Sequence, residues 1–110
     1  MANSILDSTK DKLGLSKDYT VFDSAIIDYI NSVFFTLNQI GLGPSTGFSI
    51  LDDSDNWQDF LGDETRLQAV MAYMYLKVRL LFDPPSTSFV IDSMNNMAKE
   101  MEWRLYIFAE

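Results

Sequence analysis

The side chains best placed to do chemistry are four carboxylates, Asp52, Asp53, Asp55 and Asp59, gathered around Trp57. Carboxylates at that density suit a hard cation such as calcium, or a paired acid and base acting on a glycosidic bond. The calcium-loop pattern fails. Counted from Asp53, position six must be Gly and is Gln58, and position five is Trp57 where Asp or Asn belongs; only Glu64 at position twelve fits. Nothing in the sequence sets two of these carboxylates across a cleft or raises one pKa. The run therefore reads as a solvated acidic loop. With no Cys and no His in the chain, thiol nucleophiles, disulfides, zinc sites and imidazole acid–base catalysis have no candidate residues. No catalytic residue, metal ligand or cofactor site is expected, and the chain reads as a non-enzyme.

Charge narrows the partners. The formal net charge is −8, and only 8 Lys and Arg are spread along the chain. Binding in a nucleic-acid groove needs clustered cations, so it is opposed, as is adsorption to an anionic membrane. The longest apolar stretch, residues 67–82, is interrupted by Gln68, Lys77 and Arg79 and falls short of a membrane span. The N-terminal Met-Ala-Asn-Ser-Ile-Leu-Asp lacks the basic start and apolar centre of a secretory signal, so intracellular synthesis is expected.

An apolar fraction of 47% in 110 residues predicts one folded domain spanning 1–110. Its elements arrange themselves around a central helix from Glu64 to Phe82, with Asp63 as N-cap, halted by Asp83-Pro84-Pro85. Pro84 restricts Asp83 and both prolines lack an amide proton, so this turn is a structural stop and reversal. At about 100° per residue, Leu67, Val70, Met71, Met74, Val78 and Leu81 share one stripe. Ala69, Ala72, Leu76 and Leu80 share a second on roughly the opposite side. A helix apolar on two sides needs two covers, supplied by its own chain or by another copy.

The remaining elements are placed to give that cover. Ser4-Ile5-Leu6-Asp7 resembles a capping box and starts a short helix ending at Gly14. Thr20-Val21-Phe22-Asp23 repeats the pattern before a long helix. There Phe22, Ile26, Tyr29, Ile30, Val33, Leu37 and Ile40 form the core stripe, while Ile27, Phe34 and Phe35 lie beyond it and ask for further cover. Periodicity fails over 42–62. That stretch predicts a loop or extended arm with a strand-like Phe48-Ser49-Ile50, and one or two helical turns at Trp57, Phe60 and Leu61. The C-terminal helix occupies 86–110, capped by Ser86, Thr87 or Ser88. Val90, Met94, Met97, Met101, Leu105 and Phe108 would line the central helix. Trp103, Tyr106, Ile107 and Phe108 cannot all face one partner, and such a cluster on a terminal helix marks an interface. The fold class is mainly α, a small bundle of three to four principal helices with a short extended or hairpin arm between the second and third.

Several motifs together resemble the head-tail connector (adaptor) proteins of tailed bacteriophages. They are Lys77-Val78-Arg79-Leu80-Leu81-Phe82-Asp83-Pro84-Pro85, Ser88-Phe89-Val90 and Glu102-Trp103-Arg104-Leu105. Upstream the likeness extends through Gly41-Leu42-Gly43-Pro44, Gly47-Phe48-Ser49-Ile50, Trp57 and Phe60-Leu61-Gly62-Asp63. The resemblance implies a structural virion protein at the head–tail junction, made in the bacterial host cytoplasm. It implies a homo-oligomeric ring of twelve or thirteen subunits that lies under the portal, extends the DNA channel and receives the next neck or tail-completion protein. An acidic ring suits passage of DNA without specific binding. In this setting Ile27, Phe34, Phe35, Phe48, Ile50, Arg66, Lys77 and Arg79 become candidate subunit contacts, and Trp103, Tyr106, Ile107 and Phe108 candidates for portal docking. The rival expectation is an unrelated monomeric helical protein-interaction domain.

Overall fold

The computed structural model describes residues 4–44, 46–62 and 66–109, with side chains through Ile107. It is a helical bundle: α1 (Ile5–Lys12), α2 (Asp23–Ile40), the short α3 (Trp57–Leu61), α4 (Arg66–Phe82) and α5 (Ser88–Ala109). Four of these are principal helices, and α4 packs against α1, α2 and α5. The expected N-cap Asp63 lies outside the described residues.

Local chemistry sets most helix ends. Ser4 caps α1 by accepting from the Asp7 amide, and left-handed Gly14 lets the Leu15 amide reach back to the Lys10 carbonyl at 2.8 Å. Gly41, at φ +109°, ends α2 in the same way, with the Leu42 amide on the Leu37 carbonyl. Thr20 is not the cap of α2. The helix starts three residues later at Asp23, because the segment before it closes into a turn with the Asp23 amide on the Thr20 carbonyl. After the Asp83-Pro84-Pro85 reversal, Thr87 supplies the first helical carbonyl of α5, accepting from Ile91.

Of the two stripes of the central helix, the first is largely buried and the second only partly so. Leu67, Val70, Met74 and Val78 are buried, and Tyr73 is buried with them. Leu81 is exposed near the helix end. On the second stripe Ala69, Leu76 and Leu80 are half-buried and Ala72 is exposed. The inner face of α5 is also rotated from its expected position. Ala98 and Leu105 are buried, Ile91, Met94 and Met101 are half-buried, and Val90 and Met97 are exposed. Small Ala98, rather than Met97, is the buried residue of this stretch.

The 42–62 connection is neither a strand nor a free arm. Among the described residues the one β-type pairing is the isolated bridge of Ser4 with Asn56, reinforced by the Ile5 amide on the Asp55 carbonyl at 3.0 Å. Phe48 packs edge-on against Phe34 and Phe60, with centroids at 4.9 and 5.3 Å, and Trp57 lies 6.2 Å from Phe34. This connection covers Phe34, one of the extra apolar positions of α2, and leaves Phe35 exposed. Gly43 is needed where it crosses Phe60: its φ is +84°, and a Cβ there would overlap the ring.

Candidate assembly surfaces

Surfaces available to partners are built from apolar side chains that the fold leaves in water. Because α5 turns Ala98 and Leu105 inward, Trp103 stands 64% exposed, and Tyr106 and Ile107 are exposed beside it. Phe89, also exposed, lies 18 residues before Ile107, about five turns away on the same outer line of the helix. Glu100 and Arg104 form an exposed pair at 2.6 Å on this side. The three portal-docking candidates with described side chains are therefore together and open; the Phe108 side chain lies outside the description.

The subunit-contact candidates divide. Phe34 and Ile50 are fully buried in the subunit's own core, so neither offers a free surface. Ile27 and Phe48 are half-buried against that core. Phe35 is 66% exposed and shares a groove with Asn31, Asn38, Phe48 and Ser49. Arg66 and Lys77 are half-buried, and Arg79 is exposed, donating to the Asp83 carbonyl at 2.6 Å. Phe34 was misplaced by periodicity alone, which cannot register that a loop will fold over a helix.

Two further features went unread in the sequence. The first is an aromatic patch at the head of α2. Tyr19 meets Phe22 edge-on at 5.9 Å, and Phe22 meets Phe82 at 5.3 Å. Val21, 71% exposed, and Leu81 lie open next to these rings in sequence. Below this loop sits Lys10, 1% exposed, whose ammonium donates to the Lys17 carbonyl at 3.1 Å and pairs with Asp23 at 2.8 Å. One buried cation thus grips both ends of the segment that carries the patch.

The second feature is the Asn31–Asn38 pair, seven residues apart on one face of α2. Asn31 accepts from the Ile50 amide at 2.7 Å and donates to its carbonyl at 3.0 Å, while Asn38 donates to the Pro44 carbonyl at 2.9 Å. These amides hold the connection to the core. The only available signal was two amides at helical spacing beside surplus phenylalanines.

The carboxylates around Trp57 serve turns. Asp52 accepts from the Ser54 amide and hydroxyl, which lower its pKa, Asp55 accepts from the Leu51 amide, and Asp59 from the Asn56 amide. Among the described residues no three His, Cys, Asp or Glu side chains converge on a metal position. The result is a closed acidic tip with Leu51 85% exposed. In the interior, Trp57 donates to the Ser8 hydroxyl at 2.8 Å. Burial, reinforced by the Glu102 carboxylate, pushes the Tyr73 phenol up, although its hydroxyl has no well-aligned hydrogen bond. The hollows are open ones. One, of about 420 Å³, lies between Asp7, Asp11, Leu15 and Lys17, and an apolar notch of about 200 Å³ lies at Ala69, Met101 and Leu105.

Among the described residues, the fold leaves several apolar surfaces open to a partner. The family model of the phage connector protein matches residues 5–110. The chain belongs to the phage connector protein family. Membership implies a structural, non-enzymatic head–tail connector role, and it sets aside the reading as an unrelated helical domain. No helix of the connector among the described residues is long and apolar enough to cross a membrane. Searches of curated proteins and of solved structures find no match.

Proposed function

We propose that this connector assembles as a ring beneath the portal, extends the DNA channel, and presents its far side to the next neck or tail-completion component. The observation that carries the reading is the outer face of α5, where Trp103, Tyr106 and Ile107 stand exposed on a helix whose inner face is already satisfied. Large aromatics left in water at the end of a helix are costly unless a partner covers them, and buried aromatic anchors dominate interface energetics. This face docks to the portal. Portal, rather than tail, is its partner in keeping with the stretch Glu102-Trp103-Arg104-Leu105, which resembles the connector pattern.

Each subunit in a closed ring presents two different faces, one to each neighbour. Phe35 and its groove belong to one of these, and Lys77 and Arg79 to the other; Ile27, Phe48 and Arg66, all half-buried, support them from behind. The net charge of −8 opposes adhesion of the phosphate backbone, so DNA passes without being held. The virion is the location this role requires. The test is cosedimentation with the portal protein of the same genome. Binding that disappears in the double variant Trp103→Ser, Ile107→Ser supports the docking face, and absence of binding at any concentration sinks the assignment.

A further inference from the structure

Two surfaces have no assigned occupant: the Leu51 tip and the aromatic patch at the head of α2. The tip is an apolar knob on an acidic base, with exposed Leu51 followed by exposed Asp52 and Asp53. It is held in shape, since Asp55 accepts from the Leu51 amide at 2.9 Å, Asp52 closes on Ser54, and Asn31 fixes Ile50. The patch is an apolar surface whose charged neighbours are mixed and on balance basic: Asp18 and Asp83 stand beside three bases, and Asp23 is already paired with Lys10. Lys17 precedes Tyr19 by two residues, Lys77 sits one helical turn before Leu81, and Arg79 lies one turn before Phe82. Arg79 and Asp83 approach to 3.8 Å in an exposed pair, which exchanges partners at little cost.

The Lys10 clamp is a separate observation pointing to the patch. A buried ammonium is costly, and a hydrophobic residue would fill the same space. Here it orders residues 17–23, whose side chains Tyr19, Val21 and Phe22 face solvent. Order imposed on an exposed apolar loop lowers the entropic cost of a later contact.

Tip and patch do not meet within one subunit. The tip is tethered to Asn31, and the patch begins at the start of α2, eight residues and about 12 Å earlier along the helix. Complementary surfaces at separate places make a heterologous contact, which propagates from copy to copy. We propose that Leu51, Asp52 and Asp53 of one connector subunit seat on the Tyr19–Phe22–Phe82 patch of a second copy, with the acidic tip facing Lys17, Lys77 and Arg79. This rests on the reading of the chain as an assembling connector and names the contact that joins its subunits.

The chain contains no cysteine, so Leu51→Cys and Val21→Cys each supply a unique thiol at an exposed position. The two full-length variants are mixed, with and without portal, and mildly oxidised. The expected product is a mixed dimer in excess over both homodimers. Adding Asp52→Lys and Asp53→Lys to the Leu51→Cys chain removes that excess, and Lys17→Glu with Lys77→Glu in the Val21→Cys chain restores it. A mixed dimer no more abundant than random collision produces overturns the contact. Light scattering and portal binding are read on the same samples. Assembly or portal binding without the mixed dimer overturns this contact alone, and loss of all three overturns the connector reading with it.

Discussion

Replacing Asn31 by alanine removes a side chain that satisfies both backbone polar groups of a buried residue. The Asn31 amide lies 2.7 Å from the Ile50 nitrogen and 3.0 Å from its oxygen, and Ile50 is 1% exposed. A typical hydrogen bond contributes about 1 kcal/mol net, whereas a buried backbone group left unpaired costs about 1–3 kcal/mol. Water can enter beside the exposed Ser49 and Leu51, so the two losses do not add in full. Asn31→Ala should therefore cost about 2–4 kcal/mol, and lower the midpoint of thermal unfolding by about 10–15 °C for a domain of this size. Asn31→Asp should not rescue it, because a carboxylate still accepts from the Ile50 amide but faces the Ile50 carbonyl without a donor. Urea unfolding followed by circular dichroism gives the stability, and amide exchange at Ile50 locates the change. A loss below about 0.5 kcal/mol, the level of an ordinary surface substitution, would refute the claim that Asn31 anchors the connection.

Other outcomes follow from the same contacts. Gly43→Ala adds a Cβ at positive φ against Phe60, and should cost about 2–4 kcal/mol from backbone strain and displaced packing, measured by urea unfolding. Lys10→Met leaves the Asp23 carboxylate and the Lys17 carbonyl without their cation, so stability should fall by about 1–3 kcal/mol in urea unfolding while the Tyr19 and Asp23 amides exchange faster; unchanged stability and slower exchange there would contradict the clamp. The Tyr73 phenol is held above its ordinary value of 10.0 by burial and by Glu102, so the folded chain retains a proton that the unfolded chain releases. Stability should then fall as pH rises past 10.0, and Tyr73→Phe should flatten that decline, leaving the part due to Tyr75, whose pKa burial also raises. Unfolding in urea on either side of that pH measures it.

The helices were legible because their ends are written in local chemistry. Gly14 and Gly41 are left-handed stops, Ser4 is an N-cap, and Asp83-Pro84-Pro85 permits no continuation. The α2 start was misjudged at Thr20 because a capping pattern does not distinguish a helix from the turn that precedes it. Periodicity placed Leu67, Val70, Met74 and Val78 in the core, where each neighbour is another regular element. It leaves Phe34 without a cover because that cover is an irregular segment, which carries Ile50 and is held by Asn31 and Asn38, and no repeat announces such a segment. The same limit hid the patch at Tyr19 and Phe22, since exposure there depends on where α4 ends against α2. By contrast, Trp103, Tyr106 and Ile107 were legible as a surplus, more aromatic surface than one neighbouring helix can cover.

Portal cosedimentation tests the central claim most directly. The connector should pellet with portal rings, and the Trp103→Ser, Ile107→Ser variant, folded to within about 0.5 kcal/mol because both side chains are exposed, should stay in the supernatant. A wild-type chain that never pellets would contradict the assignment to the portal, and a double variant that pellets as well as wild type would contradict docking through the outer face of α5.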